Sequence, residues 1–454
     1  MDNPYDQVAY RTFPRRQTHP DRLAAIALFF GMKPAPPAAC RVLEIGCGNG
    51  ANLIPLAYYL PESSFTGIDL AAGPVAAAGA MAAELAVHNI DLRVADLRDF
   101  SARDGEFDYI FAHGLYSWIP ADVRDRLLWA CRQCLSPQGV AFVSYNVYPG
   151  RYPRQMIREI LLYHTRTLVD PAQRIAAARR LLEQFDHPEA RSLMEQGDDS
   201  LFHDDLAPVN DPVWFHEFAA HAERHGLQYL GEADSHNTFE QVAGEAVNVI
   251  EREQYVDFLK LRPFRQTLLC RAEIPLDRVT GAARMDEFLF SENKRARRIR
   301  AHQPEPVFAE EPVEAIAQAL HDTAPLPARF EELIPYAGNS ELLREILFAL
   351  LSSGCVNLHV HDFPCQETVT ERPRASRLAR YQAAGGGNVT NACHIPVELD
   401  AVARRLVGLL DGTRTHRQIA RELSRTAGMP SLKDVRRYLP ASLDWLARMA
   451  LLEG

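Results

Sequence analysis

An α/β fold built on a doubly wound, mainly parallel sheet of seven strands, followed by smaller α+β modules, is what the sequence predicts. Three observations carry that prediction. Short apolar runs alternate with helical patterns from Val42 to Tyr145, the first run opens into a glycine-rich turn, and beyond about residue 275 the alternation stops.

The first strand, Val42-Leu43-Glu44-Ile45, runs into Gly46-Cys47-Gly48-Asn49-Gly50, and Asn52 to Leu60 follows as a helix. Ser64 to Asp69 reads as the second strand, and the alanine-rich stretch Val75 to Val87 as its helix. The third strand, Asp91 to Ala95, ends at Asp96-Leu97; the fourth, Phe107 to Ala112, ends at His113-Gly114. Helix Ala121 to Leu135 then leads to a fifth strand, Val140 to Tyr145. Residues 151–208 are helical and charged, which suggests an insertion projecting from the sheet, a candidate dimer contact or substrate wall. The sheet resumes with helix Trp214 to Arg224 and strands Leu227 to Leu230 and Phe264 to Cys270, the last expected to be antiparallel.

This divides the chain into residues 1–275, a middle module at 276–375 and a C-terminal module at 376–454. The middle block contains helices near Val313 to His321 and Leu342 to Leu351 and the strand Val356 to Val360. The last block reads as three helices, Ala401 to Leu410, Arg417 to Ala427 and Val435 to Met449, with the turn Asp411-Gly412-Thr413, a winged-helix-like pattern of which the middle block is a looser copy. Ala383-Ala384-Gly385-Gly386-Gly387 reads as a flexible joint between the two. On this division the C-terminal module recognises a partner and takes no part in the glycine-loop site.

At 454 residues the chain exceeds one core. Its net charge of -10 argues against general affinity for nucleic acid or an anionic membrane. Met1-Asp2-Asn3-Pro4 does not resemble a secretion signal and Leu23 to Phe30 is too short to span a bilayer, so the cytoplasm is the expected location. Eight cysteines are too sparse for a disulfide framework. Cys131 and Cys134 fall on a helix facing the sheet, and His359-x-His361 shares one strand face without an evident third ligand, so no metal is assigned. The basic run Lys294 to Arg300 reads as a solvated linker.

The glycine turn carries the chemistry. Gly46, Cys47, Gly48 and Gly50 present backbone N–H groups beside the carboxylate of Glu44, which suits a ligand bearing both an amine and a carboxylate, as the methionine end of S-adenosylmethionine (SAM) does. The run through Ala51 also satisfies a dinucleotide fingerprint, but a pyrophosphate would be repelled by Glu44. Asp69-Leu70, at the tip of the second strand, places an acid for two ribose hydroxyls, and Asp96-Leu97 offers a carboxylate and an amide to an adenine edge. Each acid alone would read as a cap or turn residue; three in phase at three strand ends point to a SAM site.

Longer strings extend this reading. Tyr5-Asp6 with Thr18 to Leu23, His113 to Pro120, Tyr145 to Gly150, Phe215 to Phe218, Gln254 to Leu259 and Phe264 to Cys270 together resemble bacterial class I SAM-dependent methyltransferases with a methyltransferase regulatory domain. The characterised branch of that family methylates lysines of outer-membrane proteins. The resemblance implies methyl transfer by in-line displacement, an N-terminal arm with Tyr5, Tyr10 and His19 packed over the cofactor, and His113, Tyr116 and Trp118 facing the methyl group. One departure is Arg151, where an aromatic is expected after Tyr148-Pro149-Gly150. Three readings stay open: a protein or peptide methyltransferase, a small-molecule N- or O-methyltransferase, and a SAM-binding regulator without turnover.

Overall fold

The computed structural model describes residues 8, 10, 12–101, 103, 105–234, 237–238, 248–279, 281–293, 310–365, 368–426 and 428–453. Tyr5 and the basic run at 294–300 lie outside the described residues. An N-terminal helix α1 (Pro20–Phe29) precedes β1 (Arg41–Ile45), α2 (Leu53–Tyr59), β2 (Ser64–Asp69), α3 (Ala72–Leu85), β3 (Ile90–Val94), β4 (Phe107–Ala112), α4 (Ala121–Cys134) and β5 (Leu135–Asn146). With β6 (Leu227–Glu232) and β7 (Phe264–Arg271) they make a seven-stranded sheet of order β3-β2-β1-β4-β5-β7-β6. Strand β7 runs antiparallel to both neighbours, as expected. The order reverses between β1 and β4, so their carboxyl ends diverge and leave a crevice where such folds bind ligands.

Alternation along each strand feeds two cores. Val42, Phe65, Tyr109 and Phe142 face one side, with Leu23 and Ile26 of α1. Leu43, Ile45, Ile110 and Tyr145 face the other, against Leu127 of α4 and Phe218 of α8 (Phe215–Arg224). At the antiparallel edge the fully buried Arg265 of β7 is held by Glu232, Glu253 and Asp257, at 2.5, 3.2 and 2.9 Å. That network ties β6 to α9 (Val249–Lys260), a helix that the strand reading left out.

The insertion forms α5 (Tyr152–Thr165), α6 (Pro171–Leu182), α7 (Pro188–Glu195) and a π turn, Leu201–Asp205. They share a core of their own, including Ile157, Leu161, Leu182, Leu193 and Phe202, and are not crossover elements beneath the sheet. Arg154 pins the π turn to α5 through a buried bidentate pair with Asp205, Nε to Oδ1 at 2.9 Å and Nη2 to Oδ2 at 2.7 Å.

In the middle block β8 (Leu289–Glu292), β9 (Ala328–Arg329) and β10 (Val356–His359) form a three-stranded sheet with α10 (Glu310–Thr323), α11 (Phe330–Ala337) and α12 (Ser340–Ser352). Helix α11 is absent from the sequence reading; it is short and carries Pro335. The C-terminal block holds α13 (Arg377–Ala384), α14 (Ala401–Leu409), α15 (His416–Arg425) and α16 (Leu432–Arg448), with paired strands Val389–Thr390 and Pro396–Val397. The glycine run is not a joint between modules. Gly385 ends α13 and Gly386 turns at φ 78°, while Ala379 and Ala383 share a core with Val389, Leu406 and Leu443. The blocks are also bonded to the sheet domain: Asp21 accepts from His359 Nδ1 at 2.6 Å, and Tyr59 OH donates to Ser376 Oγ at 2.9 Å. No helix among the described residues is long and apolar enough to cross a membrane.

Candidate active site

One cavity of about 1090 Å³ occupies the crevice at the ends of β1, β2 and β4. Ordinary small-molecule sites hold roughly 300–1,000 Å³, so this one has room for a cofactor and a second reactant. Gly46, Cys47 and Gly48 form its floor and Gly50 is not among its lining residues; the three glycines hold φ at 80°, 53° and 73°, a region costly for any side chain. A Cβ on Gly50 would stand 2.7 Å from Ile54 Cδ1. Asp69 braces the loop by accepting from Gly48 N–H and Ala71 N–H, both at 2.8 Å, and still lines the cavity. Each of its oxygens keeps lone-pair capacity for a hydroxyl.

Glu44 also lines the cavity. Its Oε1 accepts from Asn52 Nδ2 at 2.8 Å, whereas Oε2 is buried without a partner. Burial, with a smaller contribution from Asp69 and against the Asn52 bond, pushes its carboxyl up to about 8. An ammonium group would satisfy that orphaned oxygen, so the residues fit the amino end of SAM. Cys47, Leu70, Asp96 and Leu97 line the same cavity, and Asp96 is oriented by Arg98 through N–H to Oδ1 at 2.9 Å.

His113 and Trp118 face the cavity beyond β4. His113 Nδ1 lies 3.1 Å from Ser144 Oγ, which accepts from Gly114 N–H at 2.7 Å. Burial, then Arg15, holds the imidazole down to about 3, so the ring is neutral. Trp118 Nε1 is buried without a partner.

Besides Gly50, two expected residues lie elsewhere. Tyr116 is absent from the cavity: its hydroxyl meets His221 Nδ1 at 2.8 Å and its ring packs on Tyr145 and Phe218. Tyr116–Trp118 is a single 3₁₀ turn, in which residues two apart point in different directions, so Trp118 takes the cavity and Tyr116 the core. His19 is the N-cap of α1, its Nδ1 accepting from Asp21 N–H at 3.1 Å, and it is buried beside His361, Phe363 and His394. Tyr10 does line the cavity, with its ring edge-on to His203.

Several lining residues escaped the sequence reading: Arg15, Asn52, Asn146, Arg154, Asp204 and Gln266. Arg154 and Asp204 come from the insertion, where charges on amphipathic helices look like a solvent face. Arg151 lines the cavity, so the departure noted in sequence falls on the site. Burial and the neighbouring Asp205 raise the Asp204 carboxyl to about 6, and burial lowers the Arg151 guanidinium to about 10. Asn52 leads further away, to His394 Nε2 at 2.9 Å, so the C-terminal block reaches the back of the site, contrary to the expected separation.

Comparison with known proteins agrees with this geometry. Residues 42–139 match a methyltransferase domain, 197–271 a predicted methyltransferase regulatory domain and 371–433 the C-terminal winged helix domain of PKMT. Uncharacterized protein RP789 of Rickettsia prowazekii is 36% identical over 61% of this chain and 54% of its own, so the match spans about half of that relative. RP028 of the same organism is 30% identical over 50% of this chain and 96% of its own. The structure of PKMT2 from Rickettsia typhi superimposes with a TM-score of 0.84 at 26% identity, covering 98% of this chain and 100% of that one. The same protein in complex with AdoHcy matches at a TM-score of 0.82 and 25% identity.

Proposed function

The chain belongs to the class I SAM-dependent methyltransferases that carry a regulatory domain and a PKMT-type winged helix, and we propose that it methylates the side-chain amine of lysine in a protein. The observation that carries the acceptor class is the extent of the likeness to PKMT2: it runs through the middle and C-terminal blocks, beyond the sheet common to methyltransferases in general.

SAM supplies a methyl group on a sulfonium, whose transfer is an in-line displacement. The chain's work is alignment and exclusion of water. On this reading Glu44 pairs the amine, Asp69 the ribose hydroxyls and Asp96-Leu97 the adenine edge, with Gly46, Cys47, Gly48, Gly50 and Leu70 shaping the bed. Among the described residues the acids lining the cavity are Glu44, Asp69, Asp96 and Asp204, and the last of these is then left for the acceptor. A lysine ammonium, with a reference pKa of about 10.4, must lose a proton before attack. Asp204 is placed to dock that ammonium and receive its proton; the nitrogen lone pair then forms the C–N bond while the C–S electrons stay on sulfur. Trp118, Phe264 and the neutral His113 supply a surface that disfavours the charged amine.

The same reading divides the chain near 275 and 375, locates the enzyme in the cytoplasm and makes the insertion a wall of the acceptor channel, with a dimer contact as its other candidate role. The test is incubation with methyl-labelled SAM and outer-membrane protein, with peptide mass spectrometry. Label on lysine is the expected result; label confined to small metabolites would refute the acceptor class.

A further inference from the structure

Behind Glu44 lies a chain of buried hydrogen bonds that leaves the sheet domain. Asn52 Oδ1 accepts from the Arg15 N–H at 2.8 Å and from His394 Nε2 at 2.9 Å, with the Thr18 hydroxyl 3.1 Å away. Donors converging on that oxygen determine which way the amide faces, so its NH₂ must point at Glu44, where Nδ2 donates to Oε1 at 2.8 Å. Asn52 Oδ1 can only accept, which assigns the His394 proton to Nε2, and Nδ1 is buried without a partner. The imidazole sits in the turn between Val389–Thr390 and Pro396–Val397, held with φ at 57°. Asn391 locks that turn, donating to Met449 O and accepting from Ile395 N–H, both at 2.9 Å.

We propose that His394 is a positioning residue for the cofactor, by which the C-terminal winged-helix block holds Glu44 in register through Asn52. The proposal rests on the SAM reading of the cavity. It makes cofactor affinity depend on the seating of that block. The path from that block to the carboxylate runs through two side chains, His394 and Asn52.

The test is calorimetric titration of the full chain with SAM. His394→Ala is expected to bind roughly tenfold more weakly, the effect of one lost hydrogen bond in an organised site. His394→Gln, which keeps a donor in the same left-handed backbone, should recover most of the affinity. In a Glu44→Gln background the additional loss from His394→Ala should shrink to within about twofold, as for groups acting through one another. Folded His394→Ala with wild-type affinity would overturn the proposal, as would an equal loss with Glu44 present or absent. Wild-type protein that binds no SAM would instead remove the underlying reading.

A separate observation concerns the opposite face. Asp125 on α4 and His221 and His225, one helical turn apart at the end of α8, bring three donor atoms within 4.8 Å of one another. Asp125 Oδ1 stands 3.4 Å from His221 Nε2 and 2.9 Å from His225 Nε2. Ligands about 2.0–2.1 Å from a tetrahedral zinc ion stand roughly 3.3 Å apart, close to both distances from Asp125 Oδ1. His221 Nδ1 already bonds Tyr116 OH at 2.8 Å, the outer contact that metal-bound imidazoles keep. The geometry assigns these residues to a divalent transition-metal site joining α4 to α8, its remaining position open to water. Cobalt(II) added to chelator-treated protein should give tetrahedral visible absorption saturating at one equivalent, and His225→Ala should weaken uptake at least tenfold. Equal uptake by wild type and by His225→Ala, or none by wild type, would overturn it.

Discussion

Raising the pH from 6 to 7.5 should strengthen SAM binding about 25-fold, because of Glu44. Its carboxyl is held up to about 8 by burial, so the folded, ligand-free protein keeps the proton that an exposed glutamate would lose. A cationic amine needs the carboxylate, so binding expels that proton, and affinity climbs with pH until the raised value is reached. From such a value the ionised fraction is about one in a hundred at pH 6 and about one in four at pH 7.5; affinity follows that fraction, about 1.4 kcal/mol per pH unit at the steep end. The window ends below the range of about 7.7–8.0 where a free α-amine itself titrates. Calorimetry in two buffers of different ionisation enthalpy measures both the affinity and the proton released. Glu44→Gln should flatten the profile and release none. A wild-type affinity constant within twofold across the window, without proton release, would refute the reasoning.

Other perturbations separate the parts of the site. Asp204→Asn should reduce methyl transfer about a hundredfold while SAM affinity stays within about twofold, since its proposed role is proton transfer on the acceptor side; loss of SAM binding would contradict that placement. Gly50→Ala should weaken SAM binding and lower the thermal midpoint, because its Cβ would meet Ile54 at 2.7 Å in a left-handed backbone; wild-type values for both would show that the loop relaxes freely. Arg265→Met leaves Glu232 without its buried cation and Asp257 with Arg262 alone, at 3.3 Å, and urea unfolding should show a loss of about 3–5 kcal/mol; a change below about 1 kcal/mol would mean that Arg262, water or proton uptake replaces the guanidinium.

Local sequence determined the scaffold and the cofactor half of the site. Strand alternation, the positive-φ glycines and an acid at the end of each early strand depend on residues close together in the chain, so Glu44, Gly48, Asp69 and Asp96 were legible once the three acids were read in phase. The antiparallel last strand was expected as well. Side-chain destinations set by distant partners were not legible. Tyr116 and Trp118 differ only by position in one 3₁₀ turn, yet Phe218 and His221 draw the first into the core. His19 is recruited by a helix terminus and by rings from the middle and C-terminal blocks, away from the cofactor. Asp204 becomes a cavity acid only because the insertion folds on its own core, and Gly385 to Gly387 become a helix ending because α13 packs on the elements that follow. The bond from His394 to Asn52 joins residues 342 positions apart, and no local pattern encodes a contact that exists only once the C-terminal block packs on the sheet.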